Sequence, residues 1–326
     1  DREVGCLLSG GLDSSLVCAI ANKYITGLKT FSIGLKGSVD ILYAREVAKY
    51  LNTNHHEIIV SEEEFFNAIP EVIYNIESYD TTTVRASVGN YLVSKYIKEN
   101  TNCKVILNGD GADELCGGYL YFSNCHDPFE FDKECRRLLH DISYFDVLRS
   151  DKSISSNGLE PRTPFLDRSF VQYYLSISPF LRCHSYNNKM GKYLIRKAFE
   201  DENILPYKVL WRKKEAFSDG VSGYDKSWAT IIQEKIELLP EKIIKNMASM
   251  MPKINYNVPI TKEQQYYRYI FESHFPYCYK IIPYFWMPKY TNATDSSART
   301  LDIYETETVT ETLEYDKYEE PWDQFK

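Results

Sequence analysis

Val4-Gly5-Cys6-Leu7-Leu8-Ser9-Gly10-Gly11-Leu12-Asp13-Ser14-Ser15 is an apolar run that ends in a glycine pair and is followed by serines around one aspartate. It reads as a buried strand feeding a glycine turn and then a helix. Adjacent glycines let the backbone approach a ligand with no Cβ in the way, and the serines can hydrogen-bond both the turn and an anion. A helix starting near Asp13 points unpaired N–H groups and the positive end of its dipole at the same spot, which suits a phosphate or pyrophosphate. The plainer alternative is an ordinary strand-to-helix turn capped by Asp13. The stretch is not a Walker loop, because no lysine follows the glycines, and it lacks the third glycine of a dinucleotide fingerprint.

Outward from this loop, strands and helices alternate. Residues 28–35 read as a second strand, 56–60 as a third and 104–107 as a fourth. Between them, Ile41, Ala44, Val47, Ala48 and Leu51 make one apolar stripe at helical spacing over 40–51. Ser61 with Glu64 three residues on is a capping-box signature for a helix reaching about residue 77, and a long helix runs over 85–99. Such alternation predicts a parallel sheet covered on both faces, with ligands bound at the carboxyl ends of its strands. The loops after Leu8, Ile33 and Leu107 are therefore expected to meet at one site. Beyond about residue 121 strand signals fade, and helical stretches such as 170–175 and 193–199 predict a mostly helical second half packed on the sheet. Residues 151–158 are polar and read as a loop. Residues 301–326 are acidic, rich in threonine, tyrosine and glutamate, and read as a flexible tail.

The chain has 326 residues, of which 44% are hydrophobic and 26% charged, ordinary values for a globular protein with a sizeable core. A formal charge of −8 argues against a broad nucleic-acid surface and leaves room for a local basic pocket. No apolar run approaches a membrane span, and no leader of signal-peptide type is visible, so a cytosolic protein is expected. The eight cysteines form no C-x-x-C pair, which predicts free thiols and no zinc ribbon. Because Asp1 is not a start methionine and the first strand begins at once, the chain reads as the downstream part of a longer protein.

The loop after the fourth strand, Asn108-Gly109-Asp110-Gly111-Ala112-Asp113-Glu114, packs three carboxylates and two glycines into seven residues. Taken alone it is a solvated acidic turn. Beside a phosphate loop it has a different use, because Mg²⁺ binds ATP through phosphate oxygens plus one or two carboxylates. Asp13 and Asp113 are the expected magnesium ligands.

The first of these loops resembles the pyrophosphate loop of the N-type ATP pyrophosphatases, and further motifs narrow the resemblance to the synthetase half of the asparagine synthetase family. They are Phe31-Ser32-Ile33-Gly34-Leu35, Gly37-Ser38-Val39-Asp40, residues 79–87, residues 117–122, Glu160-Pro161-Arg162-Thr163-Pro164-Phe165-Leu166-Asp167, residues 211–220 and Asp295-Ser296-Ser297-Ala298-Arg299-Thr300. The resemblance implies an α/β fold with a five-stranded parallel sheet, helices on both faces and a mostly helical second half. It assigns residues 1–300 to one synthetase domain. It also implies that ATP and aspartate give a β-aspartyl-adenylate and pyrophosphate, and that ammonia then displaces AMP to yield asparagine.

Residue by residue, the resemblance maps the adenine pocket onto Leu8, Ile33 and Gly109 beside Asn108, and the phosphate loop onto Ser9, Gly10, Gly11, Asp13 and Ser14. Lys214 matches the lysine at the α-phosphate and leaving pyrophosphate. Without the family it reads as one solvated lysine of the basic run Arg212-Lys213-Lys214. Arg85 is a candidate phosphate clamp on chemical grounds, and could as easily pair with Asp80 or another carboxylate. Asp110 stands where the family has a glutamate held to assist ammonia attack, so its carboxylate is kept but shortened by one methylene. Asp167 matches an aspartate beneath the site, in a supporting role.

Family members that use glutamine begin with a glutaminase domain. None precedes Asp1 here, and one is expected upstream in the parent protein. A homodimer is an assembly open to it. Two other readings compete with the asparagine reading. One is a β-lactam-forming synthetase of the same fold, which the 27 tyrosines neither support nor exclude. The other is a degenerate nucleotide-binding module.

Overall fold

Five strands form one parallel sheet in the order β3-β2-β1-β4-β5, with β1 at Glu3–Leu7, β2 at Lys29–Leu35, β3 at Asn54–Val60, β4 at Cys103–Leu107 and β5 at Glu160–Arg162. The computed structural model describes residues 2–223, 226–302 and 304. The strand carrying the glycine loop lies at the centre, Gly5 opposite Lys29 of β2 and Ile106 of β4. Chain order runs outward from β1 to β3 on one side and restarts at β4 on the other. The crevice at the carboxyl ends of β1 and β4 is thus the switch point where parallel sheets bind ligands.

Four of the strands fall where the apolar runs predict them. The fifth is three residues long and contains Pro161, which carries no N–H and is tolerated because β5 is an edge. Such a short segment has no periodicity to read.

The helices follow their caps. The glycine turn leads into α1 (Leu12–Asn22), whose N-cap is Gly11 rather than Asp13, and Ser38 caps α2 (Val39–Leu51). The capping box at Ser61 and Glu64 is present, but the single helix expected over 61–77 is two, α3 (Glu62–Asn67) and α4 (Ile69–Ile76). Pro70 lies in the first turn of α4, a position a proline accepts because it has no N–H to give to a preceding turn.

The long helix α5 (Thr81–Asn100) starts four residues before the expected 85. Asp80 caps it, its Oδ2 accepting from Thr83 N at 2.9 Å and Thr83 Oγ1 at 2.8 Å. The chain then continues through α6 (Ala112–Cys116), α7 (Pro128–Asp141) and α8 (Asp146–Ser155). The loop expected at 151–158 is mostly helix α8. Its polar residues look like a loop in sequence because solvent covers one side only, while Arg149, Ser150, Ser153 and Ile154 are buried against α4 and α5.

Beyond β5 lie α9 (Arg168–Ser176), α10 (Pro179–Arg182), α11 (Tyr193–Phe199) and further helices. The second half is helical as the sequence predicts. Apolar clusters cover both sheet faces. One gathers Phe31, Ile33, Val88, Trp228 and Phe271, the other Cys6, Leu8, Leu16, Val47 and Val209. Cys6 and Cys18 are fully buried core thiols, and all eight cysteines are free. Among the described residues no helix is long and apolar enough to cross a membrane. The tail expected over 301–326 falls, apart from residues 301, 302 and 304, outside the described residues.

Candidate active site

A cavity of about 530 Å³ opens at the carboxyl ends of β1, β2 and β4. Leu8, Ser9, Gly11, Asp13 and Ser14 line it from the first loop, Phe31, Ser32 and Ile33 from β2, and Asn108 to Gly111 with Asp113 and Glu114 contribute from the stretch after β4. The loops after β1 and β4 meet there as the alternation of elements predicts, whereas β2 contributes through residues of the strand itself and the loop after it, 36–38, does not line the cavity. Thr82, Ala86 and Asn90 of α5 close the side next to β2.

The serines brace the glycine loop. Ser9 N donates to Ser14 Oγ at 3.1 Å, and the two hydroxyls lie 3.0 Å apart. Gly10 does not line the cavity. It has φ +72°, and a Cβ there would stand 2.4 Å from Ala44 N, so only glycine lets this turn sit on α2. The first turn of α1 leaves its N–H groups without helical acceptors beside the cavity.

Asp13 and Asp113 face one ammonium. Lys192 Nζ lies 2.5 Å from Asp13 Oδ2 and 2.5 Å from Asp113 Oδ1, the second contact an ion pair without hydrogen-bond geometry. Lys214 Nζ lies 2.8 Å from Asp113 Oδ2. Burial pushes the Asp113 carboxyl up, but Lys192 and Lys214 outweigh it and hold the group well below the usual carboxylate range. Burial works the other way on Lys214, and Asp113 and Asp13 overcome it to hold the ammonium charged. Gly118 makes room for this cluster, since a Cβ there would meet Lys192 Cε at 1.9 Å. Asp13 Oδ1 is buried with no hydrogen-bond partner among the described residues.

Nothing in the spacing of residues 189–192 singles out Lys192. Its one local mark is φ +60° directly before the apolar run of α11, a left-handed position that sequence alone does not reveal in a lysine. Arg212 is a second residue the sequence reading left in a basic run. It bonds Asp40 Oδ1 at 2.9 Å, lies 3.9 Å over the Tyr43 ring and lines the cavity with Nη1 unpartnered.

Asp110 also lines the cavity, but its carboxylate turns to Arg149, Nη2 donating to Oδ1 at 3.1 Å. The same guanidinium binds Asp146. Glu114 follows, fully buried, with Tyr119 Oη donating to its Oε1 at 2.5 Å. Burial, then the nearby Asp146 and Asp113 charges, push the Glu114 carboxyl well up. Asn108 shapes this loop, donating from Nδ2 to Ser150 Oγ at 2.9 Å and accepting from Asp110 N at 3.2 Å.

Two expected site residues lie elsewhere. Arg85 does not line the cavity. Its guanidinium is 3% exposed and is gripped from two sides, by Glu263 at 2.8 and 2.6 Å and by Asp295 at 2.7 and 2.8 Å. A clamp on phosphate is replaced by an internal tie, because two carboxylates use up its fork. Asp80, its other suggested partner, caps α5 instead. Asp167 is exposed and caps α9, accepting from Ser169 N and Phe170 N at 2.9 and 3.1 Å.

The separated motifs near the end of the chain dock on each other. Asp219 Oδ1 accepts from Ser297 Oγ at 2.7 Å, and Arg299 Nε donates to Glu215 Oε1 at 2.8 Å. Those contacts close the wall that carries Lys214.

A family model described as asparagine synthase matches residues 1–129 and 124–277. The chain is similar to asparagine synthetase (glutamine-hydrolyzing) of Bos taurus, 48% identical over 310 residues, and to that of Gallus gallus, 48% identical over 309 residues. It is 47% identical over 310 residues to the Homo sapiens protein of the same name. Each match covers 93% of this chain and 54% of the relative, so the chain spans about half the length of the curated relatives it matches. A solved structure described as a predicted subunit of tRNA methyltransferase from Methanocaldococcus jannaschii aligns with TM-score 0.31 at 15% identity, covering 66% of this chain and 94% of that one. That likeness is too loose to argue from.

Proposed function

The chain belongs to the asparagine synthase family, and from that premise we propose that it makes asparagine from aspartate, ATP and ammonia through a β-aspartyl-adenylate. The observation that carries the reading is the facing pair Asp13 and Asp113 at the switch point, bracketed by Lys192 and Lys214 and set against a glycine loop. That arrangement suits a triphosphate bent over two carboxylates.

Adenine is placed against Leu8, Ile33 and Gly109, and the phosphates against Ser9, Gly11 and Ser14 and the N–H groups of α1. The aspartate β-carboxylate attacks the α-phosphorus, and the bond to the bridging oxygen breaks to release pyrophosphate. Lys214, kept charged, is positioned to bear the negative charge that builds there. Ammonia then forms the C–N bond, AMP leaves with the electron pair of the acyl C–O bond, and the nitrogen loses a proton. Asp110 is the carboxylate assigned to that second step.

Magnesium fits as the ATP counter-ion. Among the described residues Asp13 Oδ1 is buried without a hydrogen bond and Asp113 Oδ1 faces the Lys192 ammonium, and two carboxylates plus phosphate oxygens are a usual Mg²⁺ environment. Among the described residues no group of three or more His, Cys, Asp or Glu could hold a metal alone, in keeping with an ion that arrives with nucleotide. When bound it neutralises phosphate charge.

In this reading residues 1–300 form the synthetase domain. The whole protein draws ammonia from a glutaminase half and works in the cytosol as a homodimer. The deciding experiment supplies aspartate, ATP, Mg²⁺ and ammonium, and follows AMP, pyrophosphate and asparagine together. One asparagine per AMP and per pyrophosphate supports the reading. No aspartate-dependent pyrophosphate overturns it.

A further inference from the structure

On the wall of the cavity built by α6, the loop before it and α8, three acidic residues, Glu114, Asp110 and Asp146, stand with one guanidinium, which only Asp110 and Asp146 engage. Arg149 takes Oδ1 of Asp146 and Oδ1 of Asp110. Glu114 has no cationic partner among the described residues. The residue is 3% exposed, its Oε1 takes the Tyr119 hydroxyl, and its Oε2 is buried without any hydrogen bond while the residue lines the cavity. Asp110 Oδ2, from the same loop, is likewise buried and unpartnered.

Each kind of occupant can be weighed. An apolar group leaves those oxygens bare, at the cost of unpaired buried acceptors. An anion is repelled by three carboxylates against one guanidinium. The described residues offer no set of three or more ligating side chains for a metal. A small ammonium donates three N–H bonds and brings the missing positive charge. The rings of Tyr119, Phe145 and Trp286 line the same cavity and limit water around such a group.

We propose that Glu114 Oε2, supported by the Tyr119 hydroxyl and by Asp146, is an ammonium subsite of the active site. The proposal rests on the synthetase reading above. Two reactants of that reaction carry the group, the α-ammonium of aspartate and the protonated form of the nitrogen donor, and the same contacts serve either.

Glu114→Gln keeps the shape and removes the charge. With wild-type and variant protein, the KM values for aspartate, ammonium and ATP are measured from pyrophosphate and asparagine formation, with succinate as the aspartate analogue that lacks the amine. The expected result is a KM for aspartate raised roughly tenfold to a hundredfold, the scale of a hydrogen bond to a charged group, with KM for ATP unchanged. Preference for aspartate over succinate falls by the same factor. A rise in the ammonium KM alone assigns the subsite to the nitrogen donor. No change in either KM overturns the subsite. Tyr119→Phe, which keeps the ring, should raise the same KM by a smaller factor, and it decides the matter if Glu114→Gln does not fold. Failure of wild type to release aspartate-dependent pyrophosphate is a failure of the functional reading instead. Calorimetric binding of aspartate and succinate to both proteins then still tests the subsite: equal preference in both overturns it.

Discussion

Lys192 Nζ lies 2.5 Å from Asp13 Oδ2, an ion pair between residues 179 apart in sequence. With Asp113 Oδ1 also 2.5 Å from the same nitrogen, the ammonium fills the gap between two carboxylates that would otherwise repel. Lys192→Met should therefore destabilise the fold by about 3–5 kcal/mol, the cost of removing one member of a buried ionic group. Millimolar Mg²⁺ should restore more stability to the variant than it adds to wild type, because a second cation can take the vacated place. Urea unfolding with and without Mg²⁺ checks both statements, and an equal response of the two proteins would contradict the second.

Lys214→Ala should cut pyrophosphate release by on the order of a hundredfold or more, the effect of losing a preorganised charge at the reacting group. Asp110→Asn should leave that step nearly intact and lower the asparagine formed per pyrophosphate. Rapid-quench measurement of both products separates the two steps. If both variants lose the same step, the division of roles is wrong.

Arg85→Ala strands Glu263, which is 2% exposed, and should cost about 3–5 kcal/mol in urea unfolding. Adding Glu263→Gln should recover part of that loss. The KM for ATP of the folded fraction should not change, whereas a phosphate clamp would raise it.

Asp167→Ala removes an exposed helix cap and should cost about 1 kcal/mol. Turnover should stay at the wild-type value. A loss of turnover with unchanged stability would return Asp167 to the site.

His55 joins the edge strand β3 to its neighbour, its ring nitrogens bonded to Thr30 Oγ1 at 2.9 Å and Ser32 Oγ at 3.1 Å. Burial lowers its pKa to about 4, against a smaller upward pull from Glu57. The unfolded chain, with a pKa near 6.5, binds the proton more readily. Stability from this group is therefore fully present above pH ~6.5 and is lost as pH falls towards 4, a difference of about 3 kcal/mol. The stability difference between wild type and His55→Gln, followed by urea unfolding from pH 7 to 4, should shrink by that amount. A difference independent of pH would refute it.

Local patterns carried much of the architecture. Apolar runs placed β1 to β4, and the Ser61–Glu64 box placed the start of α3, because each rests on residues within a few positions of one another. The same locality explains the misses. Three residues around Pro161 are too short to show a period, and the polar face of α8 conceals a buried one.

A glycine loop at the end of the central strand and a second, acidic loop after β4 are both written in neighbouring residues. Parallel alternation alone then brings both to one end of the sheet. Which charges face each other there is set by packing between distant elements. Lys192 arrives at Asp13 from 179 residues away, Arg85 is claimed by Glu263 from 178 away, and Glu114 is left without a cation among the described residues. Strand and helix periods are written in neighbouring side chains. Ion pairing depends on distances of a few ångströms between elements that the linear order does not rank, so its outcome exists only once the chain has packed.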